Sequence, residues 1–237
     1  MSEHRPNPRL NPSRSLPTYA VRAPLARWLR EQARRAHDEL GPYRLLDVGC
    51  GQKPYEPIFA PHVSAYIGVD PVENPYAELR GSVEALPVED GSFDVVLCNQ
   101  VLEHADDPAL AVRELYRAVA PGGRLLLTTH GTYVYHPSPV DYWRWTHAGL
   151  EKVLRDNGEW ASVSVVPASG TTACIAMLCN VYLDLAARRA HLGALAKPIV
   201  AALNTAAEEI DKRSATLREP GPGTLFANFH VVAEKAR

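Results

Sequence analysis

Tyr43-Arg-Leu-Leu-Asp-Val-Gly-Cys-Gly51 decides the fold. The apolar run has the length of one buried strand, and two glycines close it. Asp70 stands 19 residues beyond Gly51, at the end of a second run, Ser64 to Val69. Phe93 to Cys98 is a third run and Arg124 to Thr129 a fourth. Helical signals alternate with them. One helix is expected from about Pro24 to Leu40, stopped by Gly41-Pro42. Asp107-Pro108 caps another, with Leu110, Val112, Leu115 and Val119 on its apolar face and Pro121-Gly122-Gly123 ending it. Alternation of this kind means parallel βαβ units in one doubly wound α/β sheet. Farther on, His147 to Asn157 reads as a helix and Ala161 to Val166 as a strand. Two helical stretches over 172–190 and 194–214 follow, then a last strand from Leu225 to Ala233.

Composition narrows the function classes. The chain has 237 residues, 46% hydrophobic and 22% charged, which suits a packed core. A net charge of −2 gives no global basic field for nucleic acid. The first 35 residues hold eight arginines and no lysine against Glu3 and Glu31, so the start is basic and the rest acidic. Pro6, Pro8, Pro12 and Pro17 predict an extended arm over 1–23, ordered only from about Leu16, ahead of one domain over 24–237. No pair among Cys50, Cys98, Cys174 and Cys179 has zinc-knuckle spacing, which suggests free thiols in a reducing cytosol. No apolar leader is present, so a cytoplasmic location is expected. Trp160 to Leu183 carries no charge, but Pro167, Ser169 and Gly170 interrupt it; it reads as strand, turn and buried helix, not a membrane span.

Ligands of open parallel sheets bind outside the carboxyl ends of the strands. Gly49 and Gly51 let backbone approach a ligand there, and Asp70 is placed to accept from ribose hydroxyls. That is a nucleoside constellation. A dinucleotide fingerprint needs a third glycine, yet the loop continues Gln52-Lys53-Pro54. No tyrosine has a lysine four residues on, so a nicotinamide enzyme falls behind.

Asp47-Val-Gly-Cys-Gly51, Gly68-Val-Asp70, Glu84-Ala-Leu-Pro87, Asp90-Gly-Ser-Phe-Asp94, Val101-Leu-Glu-His104 and Pro121-Gly-Gly123 together resemble the class I S-adenosylmethionine-dependent methyltransferases, in the small-molecule "type 11" branch. Asp141-Tyr-Trp-Arg-Trp-Thr146 extends the match. The resemblance implies a Rossmann-like, mostly parallel seven-stranded sheet with a helical insert over 172–214 before the last strand. It implies S-adenosyl-L-methionine as cofactor. Gly49 and Gly51 would line its methionine and ribose portion with Asp47 nearby, and Asp70 would hold the ribose. Glu84, Ala85 and Leu86 would frame adenine, and Asn99 and Gln100 would face the methyl donor.

The acceptor pocket is expected after the fourth run, where His, Tyr and Trp are dense. His130 is the first candidate base because it ends a strand at the ligand face; His136 is the second. Tyr133, Tyr135, Asp141, Trp143 and Arg144 are candidate substrate residues, with Arg144 placed either to clamp an anion or to pair with Asp141. Tyr19 and Arg22 would close over the pocket from the N-terminal side. His104 reads as structural. The spacing of the histidines and Asp141 matches no metal template, so none is expected. Asn99-Gln100-Val101-Leu102 lacks the Asn/Asp-Pro-Pro-aromatic motif of amino-group methylation on nucleobases. The expected reaction is O-methylation of a small molecule, a sugar or natural-product intermediate. N- or C-methylation and a non-catalytic donor-binding regulatory module stay open. The apolar insert is read as a lid or a homodimer face, without stable membrane insertion.

Overall fold

The computed structural model describes residues 7–237. The first six residues of the expected arm lie outside them. The described chain divides into two compact units. One holds residues 28–131, 135–166 and 229–237; the other holds residues up to 27, with 132–134 and 167–228.

The first unit carries the sheet. Its strands are β1 (Tyr43–Val48), β2 (Val63–Asp70), β3 (Leu79–Arg80), β4 (Phe93–Asn99), β5 (Val119–His130), β6 (Trp160–Pro167) and β7 (Asn228–Lys235). They lie in the order β3-β2-β1-β4-β5-β7-β6. β1 pairs parallel with β2 and β4, β2 with β3, and β4 with β5. β7 runs back along β5, because Gly122 N–H near the start of β5 donates to Ala236 O just past β7, at 2.9 Å. The seven-stranded, mostly parallel sheet expected from the sequence is therefore present. The order reverses between β1 and β4, which opens a crevice at their carboxyl ends. Leu45, Leu46, Val95, Val96, Leu125 and Leu126 are fully buried, as strands covered on both faces require.

α1 (Tyr19–Leu40) begins five residues before the expected start and takes Pro24 into its interior. Ala20, Val21 and Ala23 are buried, so packing extends the helix past a proline that lacks one donor. α2 (Glu56–Phe59) and the two-residue β3 are too short to show a period in the sequence. α3 (Pro108–Ala118) starts as expected, with Asp107 Oδ1 accepting from Leu110 N–H at 3.0 Å. Pro121-Gly122-Gly123 lies inside β5 and does not end the helix. α4 (His147–Asp156) is capped by the Thr146 hydroxyl.

The second unit holds the insert, α5 (Thr171–Arg189) and α6 (Gly193–Lys212). α5 is half exposed and not buried: Ile175, Tyr182 and Leu185 face out, while Ala173, Cys174 and Met177 pack with Ala207 and Ala227. Order on the N-terminal side begins before Leu16. Arg14 pairs with Glu208 at 2.8 Å, and Asn204 Nδ2 donates to the carbonyls of Arg14 and Leu16. Among the described residues, no helix is long and apolar enough to cross a membrane.

Candidate active site

A cavity of about 560 Å³ opens at the carboxyl ends of β1, β2 and β4, within the sheet unit. Gly49, Gly51, Asp70, Glu84 and Gln100, five of the candidate donor residues, line it. Gly49 has φ +67°, and a Cβ there would stand 2.4 Å from Val101 Cγ2. Only glycine fits that turn, and its bare backbone forms the cavity floor. Asp70 ends β2 and organises the rim. Its Oδ2 accepts from Gly51 N–H at 3.0 Å and Asn74 Nδ2 at 3.2 Å, and its Oδ1 from Val72 N–H at 3.2 Å. A carboxylate has about four lone-pair sites, so Oδ1 keeps capacity for a ligand hydroxyl.

Lys53 clamps the same loop from beneath. Its ammonium reaches Glu78 at 2.6 Å, past Gly68, where any Cβ would strike the lysine stem. On the far side, Glu84 Oε1 accepts from Asp106 N–H at 2.8 Å and ties two lining loops together. Gln100 holds φ +58° at the end of β4, fixed by bonds from its N–H and its Nε2 to Thr128. A strained non-glycine residue at the cavity edge persists only when its surroundings hold it.

Four expected donor residues are not among those that line the cavity. Asp47 is buried beneath the loop and accepts from Tyr66 Oη at 2.7 Å; burial raises its pKa to about 7. Leu86 is buried, with its N–H on Glu114 and its carbonyl on Arg117. Asn99 Oδ1 accepts from Thr128 Oγ1 at 2.6 Å. Ala85 forms a bridge with Ser82.

His104, structural by its sequence motif, lines the cavity. Its Nδ1 lies 2.9 Å from Val140 O. A carbonyl only accepts, so Nδ1 carries the proton and Nε2 of the neutral ring keeps a lone pair. The signal available was its place in the loop after β4, at the ligand end of the sheet. Val101, Ser82, Asp106 and Pro139 also line the cavity and were not anticipated as site residues.

His130 and His136 lie behind His104. The rings of His104 and His136 meet edge to face at 5.1 Å, and those of His136 and His130 at 5.6 Å. His130 is buried, and burial lowers its pKa strongly, with the neighbouring His136 adding to the shift. Its Nε2 lies 3.4 Å from Oε1 of the fully buried Glu103, whose carboxyl is raised by burial. Arg144 pairs with Asp141. Burial raises the Asp141 carboxyl, but Arg144 and the His136 N–H outweigh it and leave it below its ordinary value. The aromatic segment is a strap: Trp143 Nε1 donates to Ala105 O at 2.8 Å, and Trp145 N–H to His130 O at 3.0 Å. Tyr135 is 66% exposed. Tyr19, Arg22 and Tyr133 belong to the other unit. There Tyr133 packs on the Cys174–Met177 cluster, Arg22 Nε bonds Thr18 Oγ1 at 3.2 Å, and Tyr19 lies under the Arg14 guanidinium.

The family model described as a methyltransferase domain matches residues 20–161, more than half of the chain. The chain belongs to the methyltransferase domain family. Among curated relatives, it is 34% identical over 103 residues to the uncharacterized methyltransferase YcgJ of Bacillus subtilis, covering 37% of this chain and 41% of that protein. It is 32% identical over 143 residues to the ubiquinone biosynthesis O-methyltransferase of Azotobacter vinelandii, covering 54% of this chain and 55% of that protein. The chain thus spans about half the length of the curated relatives it matches. The crystal structure of YcgJ superposes with a TM-score of 0.50 at 21% identity, covering 88% of this chain and 98% of that one. A Burkholderia thailandensis 1,6-didemethyltoxoflavin-N1-methyltransferase does so with a TM-score of 0.51 at 16% identity, covering 88% and 78%. At such identities the likeness establishes the fold alone. The methyl donor of this methyltransferase family is S-adenosylmethionine, and the cavity's chemistry fits it: bare glycine backbone at Gly49, where a Cβ would strike Val101, and the Asp70 carboxylate with spare hydrogen-bonding capacity at the rim.

Proposed function

We propose that this methyltransferase carries a methyl group from S-adenosylmethionine to a hydroxyl of a small ring-bearing acceptor, a sugar or natural-product intermediate. One observation supports this most: a single cavity runs from Asp70 to His104. Bound donor supplies an electrophilic methyl on a sulfonium whose charge is lost as the new bond forms. The protein contributes alignment and a dry pocket. Gly49 and Gly51 admit the methionine and ribose end against bare backbone. Asp70 holds the ribose through Oδ1. Ser82, Val83, Glu84 and Ala105 frame the adenine, and Gln100 faces the reacting end. Asp47, Leu86 and Asn99 hold the lining loops in place from behind, and Ala85 braces Ser82 through its bridge.

A hydroxyl must lose its proton as it attacks, since its own pKa is near 10 or above. His104 Nε2 takes that proton. His130 and His136, the bases expected from the sequence, stand behind His104. The O-methyltransferase name of the ubiquinone relatives supports oxygen over nitrogen.

The test is transfer of labelled methyl to a panel of catechols and monosaccharides. His104→Ala is expected to lower turnover by about 10²–10⁴-fold while donor affinity holds. Undiminished turnover would move the acceptor to an amine or an ionised group. Donor binding without transfer to any acceptor would favour a regulatory donor-binding module.

A further inference from the structure

A fully buried carboxylate with one oxygen left over demands a cation or a proton. Glu103 is such a group. It sits in the 3-10 turn Leu102–His104 that follows β4, with no exposed surface. Thr129 Oγ1 donates to its Oε2 at 2.9 Å. Among the described residues its Oε1 accepts no hydrogen bond, and it faces His130 Nε2 at 3.4 Å. His136 arrives from the following loop. One donor atom from each of Glu103, His130 and His136 lies within 4.8 Å of the others. Three separate segments therefore converge, through an oxygen and two imidazole nitrogens, on one point.

We propose that Glu103, His130 and His136 form a binding site for a divalent transition-metal ion of the zinc class. Bonds of about 2.0–2.2 Å set ligand atoms of one ion roughly 3–3.5 Å apart. The Glu103–His130 pair already has that spacing. His136 has 32% of its side chain exposed and only a short way to close. Two imidazoles with one carboxylate favour zinc, cobalt or iron over magnesium and calcium, which prefer oxygen. The surroundings match a second coordination shell. The Thr129 hydroxyl orients the Glu103 carboxylate. Arg144 is neutralised by Asp141, so it adds no net charge against the ion.

The His136 ring abuts His104, which lines the cavity. Three protein ligands would leave a fourth coordination position unfilled, and a cation there would loosen the proton of an oxygen that reached it. The metal site itself stands whether or not the methyl-transfer reading holds; only this role rests on it.

A proton shared between Glu103 and His130 would satisfy the same atoms, so the experiment must separate ion from proton. Tag-free protein is stripped with chelator and titrated with cobalt chloride, followed by visible absorption. The expected result is one cobalt per chain, displaced by zinc chloride and not by magnesium chloride. His136→Ala, at a partly exposed loop position, is expected to fold with unchanged circular dichroism and to bind cobalt at least about 100-fold more weakly, more than an outer-shell change costs. Glu103→Gln is expected to weaken it similarly. No cobalt band and no zinc binding at micromolar protein would overturn the site in favour of the shared proton. So would cobalt binding that His136→Ala leaves untouched. A parallel titration of the metal-free protein with S-adenosylmethionine reads the donor site separately, so loss of one result does not carry the other.

Discussion

Gly49 shows how one residue type carries both fold and site. Its φ of +67° lies in the left-handed region, and a Cβ would meet Val101 at 2.4 Å. Gly49→Ala is expected to cost about 1–2 kcal/mol from backbone conformation alone, with more from displacing Val101. Because Val101 lines the cavity, donor affinity should fall as well. Urea denaturation and donor titration of the same variant check both, and unchanged values would mean that the loop can turn without glycine. Residues of this kind are legible in a sequence because the constraint is local. His104 is not, since its task depends on Val140 fixing its tautomer from 36 positions away. The pairing of Glu103 with His130 is hidden for the same reason: 27 positions separate them in the chain, and it takes β5 lying beside the end of β4 to bring them together.

Elements show a similar division. Long periodic segments such as α3, α4 and β1 lie within a residue or two of their expected bounds, because cap and apolar period agree there. α1 exceeds its expected start because packing overrode a proline, and β5 absorbs Pro121-Gly122-Gly123 that reads locally as a stop. The insert hairpin depends on one distant contact. α5 has no side-chain cap of its own; Asp211 near the end of α6 accepts from Thr172 N–H at 3.0 Å and Ala173 N–H at 2.9 Å. Gly170 leaves room for that carboxylate, since a Cβ there would stand 2.3 Å from Asp211 Cγ. Asp211→Ala is expected to lower stability by about 1.5–3 kcal/mol, the worth of hydrogen bonds to a charged group. A urea midpoint equal to that of the unaltered protein would contradict this.

At the scale of the whole molecule, the switch between β1 and β4 gathers sequence-distant loops into one cavity, and a buried charge beneath it couples folding to pH. Asp47 is raised to about 7 in the folded state by burial. Tyr66 and Lys53 act to lower it, while Glu56 and Asp70 act to raise it. Unfolded, it titrates near 3.9. The folded state therefore binds more protons between about pH 4 and 7, so this group's contribution to stability falls through that window and its cost is complete above pH 7. Asp47→Asn lacks that cost. Its melting temperature should improve relative to the unaltered protein as pH rises from 4 to 8, and a constant difference would rule the coupling out. The open α/β sheet and its ligand end are readable from strand runs and their terminal glycines and acids. The division of the site into a lining and a supporting layer is not, because both layers share the same short motifs.

The most direct test of the donor site is calorimetric titration with S-adenosylmethionine of the unaltered protein and Asp70→Ala. Binding by the first, weakened by about 5- to 150-fold in a folded Asp70→Ala, is the expected result, reflecting about 1–3 kcal/mol of lost charge-assisted bonding. Equal affinity in both, or binding of NADH in place of S-adenosylmethionine, would contradict it.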